Sequence, residues 1–379
     1  MFEIIYHPLY GELNEIELPK PYFESYESPL RCKLVWEYLK KIGYALRDFK
    51  RTEMQTNSQK NLVLKKPIPL KKDDLYLVHS KHHVEQVEKF TEDGCGQLGN
   101  LVRATEDTME IALLSAGGAY EAIKDVYSKR NTQAFAIIRP PGHHAIPDAA
   151  DGLCVFNNIA LAIKKLRKEL AFKGRIAIVD IDAHYGNGIA NVFYEDPSVL
   201  YSSIHEFDFS MGDWGRFSEI GIGDGLGCNI SFPVRLNSGD EAIKKYCDFV
   251  EPFLVKYSPA IIIVAAGFDG HWADPLGNLR YTSDGYRYFA QWLKKIARTI
   301  CSDRVCFCLE GGYNLLMLPR LIETIISEFI NIKCSPPVDK IPYKSIFGYG
   351  STSEYIDKHY NSQVDKIRKR LNRIWKLMH

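Results

Sequence analysis

Four apolar runs constrain this chain more than any other feature. They are Ala134-Phe135-Ala136-Ile137-Ile138, Arg175-Ile176-Ala177-Ile178-Val179, Ala260-Ile261-Ile262-Ile263-Val264-Ala265-Ala266 and Val305-Cys306-Phe307-Cys308-Leu309. Each reads as a strand covered on both faces, as in a parallel sheet. Phe2–Tyr6, Leu75–His79 and Val199–Ile204 read as further strands. Pro29–Lys41 and Glu106–Ser128 read as helices, the second carrying Gly117-Gly118 for close packing. The expected fold class is α/β: a single domain with a central, mostly parallel β-sheet flanked by helices on both faces. That domain is expected to span residues 1–335. Beyond it Pro336-Pro337 breaks the chain. Val364, Ile367, Leu371, Ile374 and Met378 then recur at helical spacing among Lys366, Arg368, Lys369, Arg370, Arg373 and Lys376. Residues 336–379 are therefore expected to form an extension with an amphipathic basic helix, docked on its own domain or at a subunit contact.

Each of the four runs stops at polar chemistry. Asp180-Ile181-Asp182-Ala183-His184 follows the second run. Residues two apart on extended chain face one way, so Asp180, Asp182 and His184 project together from a strand's C-terminal end, where parallel sheets bind ligands. Gly267-Phe268-Asp269-Gly270-His271 follows the third run. Asp182, His184 and Asp269 would give a metal three protein ligands and leave a position open, the layout of a catalytic site. Arg139-Pro140-Pro141-Gly142-His143-His144-Ala145 follows the first run, and adjacent imidazoles suit proton transfer near neutral pH. His82-His83, at an apparent helix start, is expected instead to be a solvated pair. The fourth run ends in Glu310-Gly311-Gly312-Tyr313-Asn314, where the glycines allow close approach and the Tyr313 phenol can donate to a developing oxyanion.

Taken together, residues 139–145, 180–188, 266–277 and 310–314, with Ser28-Pro29-Leu30-Arg31 upstream, resemble the histone deacetylase and acetylpolyamine amidohydrolase superfamily, which shares its fold with arginase. The resemblance implies that Asp182, His184 and Asp269 bind Zn²⁺, with Fe²⁺ as the alternative. It implies that His143 and His144 handle protons, that Asp180 orients His143, that Asn187 stands behind His144, and that Tyr313 binds the substrate carbonyl. Asp180, Asp182, His184, Ser203 and Ile204 match a structural monovalent-cation site, expected to hold K⁺. Gly152, Leu153, Leu276, Gly311 and Gly312 match the lining of an acyl-lysine tunnel. The implied activity is metal-dependent removal of acetyl or other short acyl groups from acylated amines, such as Nε-acetyl-lysine or acetylpolyamines. A metal-activated water would attack the amide carbon, with the two histidines unequal because one faces a carboxylate and the other an amide.

This chain departs from the common family pattern at three positions. Tyr185 replaces a second His after the ligand His184, Asn187 stands where the nuclear class has Asp, and Leu276 stands where a polyamine-specific branch has an acidic residue. Asn187 places the chain nearer the class II-like and acetylpolyamine-processing branches. The short stretch from Val84 to Thr105 lacks the insertion that closes the bacterial acetylpolyamine enzymes over their site. Two alternatives stand beside the deacetylase reading. One is a non-catalytic relative that binds an acyl ligand. The other is a binuclear arginase or agmatinase-like ureohydrolase, which would want an Asp at position 186, where this chain has Gly186.

Composition restricts partners. Forty-eight basic against 47 acidic residues give a net charge of +1, so no global field recruits nucleic acid, and no direct nucleic-acid binding is expected. No run of 18 apolar residues argues for a membrane span, and the start lacks a signal-peptide layout. Nine cysteines without a C-x-x-C pair fit a reducing cytoplasm. The expected partner is the acetylated amine or acetyl-lysine substrate, with homo-oligomers allowed. The stretch from Glu206 to Gly227 is expected to form a rim loop, with Phe207, Phe209 and Trp214 as candidates for an apolar wall.

Overall fold

The computed structural model of the protein describes residues 1–16, 23–44, 54–57, 62–129, 132–207, 214–334, 339 and 354–377. Its strands are β1 (Phe2–Ile5), β2 (Met54–Asn57), β3 (Leu62–Lys65), β4 (Cys95–Asn100), β5 (Val102–Thr105), β6 (Gln133–Ala136), β7 (Ala150–Asp151), β8 (Ile176–Asp180), β9 (Val199–Glu206), β10 (Asn229–Val234), β11 (Ile261–Ala266) and β12 (Val305–Leu309). Its helices are α1 (Leu30–Lys41), α2 (Lys72–Leu75), α3 (Lys81–Glu92), α4 (Thr108–Ser128), α5 (Asn158–Leu170), α6 (Asn187–Phe193), α7 (Asp240–Tyr257), α8 (Ser283–Ile300), α9 (Leu318–Ile330) and α10 (Glu354–Leu377). One sheet runs β10-β9-β8-β11-β12-β6-β1-β3-β2, and β5-β4-β7 form a small second sheet. Eight strands of the large sheet are parallel, and β2 closes one end antiparallel to β3.

Every residue of β8, β11 and β12 is buried, so their continuous apolar runs are sandwiched between two helical layers. On one side α4 packs on α5; on the other α1, α9, α8 and α7 pack in series. From β8 the chain steps outward through β9 to β10, then returns to place β11 on the opposite side of β8. The crevice beyond the carboxyl ends of β8 and β11 is thus a topological switch point, where open α/β sheets bind ligands. The two strands are in register there, with Val264 beside Val179 and Ala265 beside Asp180. Gly118 lets α4 approach Ile138, whose Cγ2 lies 2.5 Å from where a Cβ would stand.

Helix α10 lies along the β10 edge. Ile367, Leu371 and Trp375 are buried; Trp375 packs against Phe253 and Tyr257, and its indole N–H donates to the Gly227 carbonyl at 3.1 Å. Pro336-Pro337 and Met378 lie outside the described residues, as does Phe209.

Two expectations fail. Leu75–His79 is not a strand. Asp74 accepts the Lys71 backbone N–H at 3.1 Å and starts the short helix α2, and the chain then turns through Tyr76 to Val78. A capping carboxylate outweighed the apolar run. His83 is also not solvated: it is fully buried in α3, and its Nε2 lies 2.9 Å from the Val155 carbonyl. It belongs to the inward stripe His83, Val84, Val87, whereas His82 is exposed. Within the rim stretch Phe207 is buried, but Trp214 is 74% exposed. Among the described residues no helix is long and apolar enough to cross a membrane.

Candidate functional site

Strand β8 ends at Asp180, and the turn after it presents Asp182 and His184; the turn after β11 presents Asp269. Ligand-type atoms of Asp182, His184 and Asp269 all lie within 4.8 Å of one another. His184 Nδ1 is 3.2 Å from Asp182 Oδ1 and 3.0 Å from Asp269 Oδ2. Donors sharing one ion at about 2.0–2.2 Å in tetrahedral geometry stand roughly 3.4 Å apart, so these three fit a single divalent cation.

Backbone groups hold both carboxylates in place. Asp182 Oδ2 accepts the Gly311 N–H at 2.8 Å, and Asp269 Oδ1 accepts the Ala183 N–H at 2.8 Å. Gly311 must be glycine, because a Cβ there would lie 2.4 Å from Asp269 Oδ2. Burial disfavours charge on Asp182, but the His143 and His184 rings outweigh it and hold the carboxyl far below its usual range. Burial and the neighbouring Asp182 push Asp269 up to about 7. Burial opposes charge on His184, yet the two carboxylates keep its imidazolium well above the ordinary range. Two carboxylates crowded in a dry site call for positive charge, and a divalent ion supplies more of it than the proton on His184.

The tandem histidines stand beside this cluster, their rings 4.0 Å apart. His143 Nδ1 pairs with Asp180 Oδ2 at 3.2 Å, and His144 Nδ1 pairs with Asn187 Oδ1 at 2.7 Å. Burial disfavours charge on His143, but Asp182 and Asp180 outweigh it and raise its pKa to about 10. His144 goes the other way: burial, then the neighbouring His143 and His184, depress it well below 6.5. Asp180 is itself fastened by the Tyr201 hydroxyl at 2.9 Å. Gly152, at φ +50°, brings the backbone against His144, where a Cβ would lie 2.4 Å from Cδ2.

Tyr313 follows the β12 turn and is 7% exposed. Its backbone N–H and that of Asn314 donate to Asp274 Oδ2 at 2.6 and 3.0 Å. The Arg31 guanidinium stacks 4.6 Å from the Tyr313 ring centroid and donates to the carbonyls of Gly312 and Glu310. Burial raises the phenol's pKa well above 10, so it stays protonated.

The structure brings Asp180, Asp182, His184, Asp269, His143, His144 and Asn187 together. Ser203 pairs with Asp180 in the β8–β9 register, and Ile204 follows it, both buried. Leu153 is buried beside Gly152, and Leu276 is half-buried, its N–H donating to Asp274 Oδ1 at 3.0 Å. Tyr185 turns away from the cluster, its ring 4.8 Å from that of His205.

Sequence reasoning assigned no role to three groups that shape the site: Glu310, Asp274 and Tyr201. Glu310 Oε2 accepts the N–H groups of Gly142 and His143 at 2.6 and 3.1 Å, tying the histidine turn to β12. A carboxylate ending a wholly apolar strand was a signal for it. Asp274 and Tyr201 carry no comparable signal, since their partners lie 39 and 21 residues away.

Residues 25–329 match the histone deacetylase domain. The chain belongs to the histone deacetylase family. It is 36% identical over 281 residues to "Histone deacetylase 14, chloroplastic" of Arabidopsis thaliana, a match covering 68% of this chain and 66% of that protein. It is 32% identical over 273 residues to "Histone deacetylase-like amidohydrolase" of Pseudomonas aeruginosa, covering 72% of each. The crystal structure of the HDA15 HD domain superposes with a TM-score of 0.78 at 25% identity, covering 99% of this chain and 95% of that one. The chain spans about two thirds of the length of these two curated relatives and less of others, 61% of the rice "Histone deacetylase 10, chloroplastic".

Proposed function

We propose that this chain is a metal-dependent amidohydrolase that removes acetyl or another short acyl group from an acylated amine, an acyl-lysine side chain or an acetylpolyamine. One observation carries the reading: a three-donor cluster with ligand atoms within 4.8 Å of one another stands beside two adjacent histidines of opposite electrostatic character. Asp182, His184 and Asp269 would hold the ion, Zn²⁺ or Fe²⁺, which supplies Lewis acidity toward the acyl carbonyl and acidifies a water.

This chain's own residues do the rest. His144 is neutral, and its Nδ1–H points at the Asn187 carbonyl oxygen, so its Nε2 lone pair is available to take a proton from the attacking water. His143 is held as imidazolium by Asp180 and Asp182 and can supply the proton that the departing amine needs. The Tyr313 phenol, kept protonated, donates to the oxygen on which negative charge develops. Gly152, Leu153, Leu276, Gly311 and Gly312 would line the acyl path. Asp180, Asp182, His184, Ser203 and Ile204 would hold K⁺ beneath it. The binuclear alternative is disfavoured, because a side chain at Gly186 would start 2.6 Å from Asp180 Oδ2. Nine free thiols support a reducing, cytoplasmic setting.

The test is hydrolysis of acetyl-lysine peptides, acetylputrescine, acetylspermidine and longer acyl-lysines by the full chain, beside Asp269→Ala. Turnover of at least one substrate class, abolished in the variant, is expected. Undiminished turnover in Asp269→Ala overturns the assignment. Binding of an acyl-lysine peptide without turnover would favour the non-catalytic alternative.

A further inference from the structure

One residue beyond the helical core reaches back toward the site. Asp339 Oδ2 accepts the Ser283 backbone N–H and hydroxyl, both at 2.6 Å, and the His271 Nε2–H at 3.0 Å. Its backbone carbonyl accepts the Trp272 indole N–H at 3.1 Å. His271 is fully buried, and its Nδ1 accepts the Ala273 N–H at 3.2 Å. The ring proton therefore sits on Nε2, facing Asp339, and both nitrogens are engaged. The chain of contacts continues inward. The Ala273 carbonyl accepts Asn314 Nδ2 at 2.6 Å, and Asp274 Oδ2 accepts the N–H groups of Tyr313 and Asn314. The turn that carries Asp269 at its start and Leu276 near its end is thus fastened at its middle by Asp339.

We infer that Asp339 is a positioning residue for the site: through His271 it fixes the 267–277 turn, and with it Asp269 and Tyr313. Without Asp339 the Nε2–H of the buried His271 ring would lose its acceptor, a penalty the ring relieves by rotating. Rotation releases the Ala273 N–H, and the turn that ties Asp269 to Tyr313 loosens. This inference rests on the hydrolase reading. Its rival is that Asp339 only caps the first turn of α8 through Ser283.

The test compares Asp339→Ala, Asp339→Asn, His271→Ala, the double alanine variant and Ser283→Ala in the full chain. The readouts are kcat and KM on an acetyl-lysine peptide, the thermal midpoint, and the visible spectrum of protein loaded with Co²⁺. In Asp339→Ala kcat is expected to fall about tenfold with KM nearly unchanged, as for groups that orient metal ligands, and the Co²⁺ bands to shift. Asp339→Asn should recover most of kcat, because its amide oxygen still accepts the Nε2–H. The double variant should lose no more than the worse single one, since the two residues act in series. A folded Asp339→Ala with wild-type kcat and spectrum overturns the inference. So do losses that add, or a Ser283→Ala variant that behaves like Asp339→Ala. Should Asp339→Ala not fold, His271→Gln takes its place, and unaltered kcat and spectrum there overturn the inference. A wild type that binds Co²⁺ but hydrolyses nothing sinks the hydrolase reading alone, and the Co²⁺ spectra still decide the role of Asp339.

Discussion

Glu27 lies between two buried guanidinium groups, 2.8 Å from Arg139 and 3.2 Å from Arg31. Burial alone would raise its pKa; Arg139 and Arg31 outweigh that and hold it below the usual carboxylate range. A depressed carboxyl contributes stability above its unfolded pKa and loses it as pH falls through the folded value. Glu27→Gln leaves two buried cations short of a counter-charge and is expected to cost about 3–5 kcal/mol, read from the urea midpoint. Because Arg31 also stacks on Tyr313, the same variant should lower kcat. Tyr313→Phe tests the site more narrowly. It removes one hydrogen-bond donor and little packing, so kcat should drop roughly 10²–10³-fold with thermal stability unchanged.

At the scale of elements, α3 and the turn before it dock through histidines kept neutral. Burial, then the nearby His83, pushes His79 down to about 3, and burial lowers His83. His79 Nε2 accepts the Asn157 N–H at 2.9 Å, which anchors the start of α5. Below pH 6.5 the unfolded chain takes up protons that the folded chain refuses, so stability falls as pH drops from about 6.5 toward 3. Each such imidazole adds a slope of up to about 1.4 kcal/mol per pH unit. Urea midpoints at pH 7.5 and 5.5 should differ in the wild type and differ less in His79→Gln. Neither role was legible beforehand. A histidine pair looks the same in sequence whether it faces water or the Val155 carbonyl, 72 residues away. The apolar run from Leu75 misled for a related reason: four residues support either strand or helix, and a single capping carboxylate decides between them.

For the molecule as a whole, the three metal-type donors sit on turns rooted in β8 and β11, strands whose every residue is buried by apolar packing. Removing the metal with a chelator is therefore expected to abolish hydrolysis while leaving far-UV circular dichroism unchanged. Restoring Zn²⁺ should recover activity. It should also raise the thermal midpoint, since the linkage term adds about 2.7 kcal/mol of stability when free ion is a hundredfold above its Kd. Unfolding on chelation would instead mark the ion as structural. The convergence of Asp180, Asp182 and His184 was readable because their spacing is local: Asp180 ends β8 and the other two follow it at two-residue steps. Asp269 was grouped with them only by analogy of strand ends, and the β8–β11 register explains why its carboxylate stands beside Asp182 and His184.

The sequence by itself determined the layers and the chemistry at their rim. Unbroken apolar strands must be covered on both faces, and the residues that end them must emerge at one edge. Tertiary structure alone decided which distant groups hold that chemistry in place. Glu27, Asp274, Tyr201 and Asp339 act on partners tens to more than a hundred residues away. Periodicity reports only which way a side chain faces its own segment. Which buried charge or hydroxyl meets it is fixed when the strands take their order in the sheet.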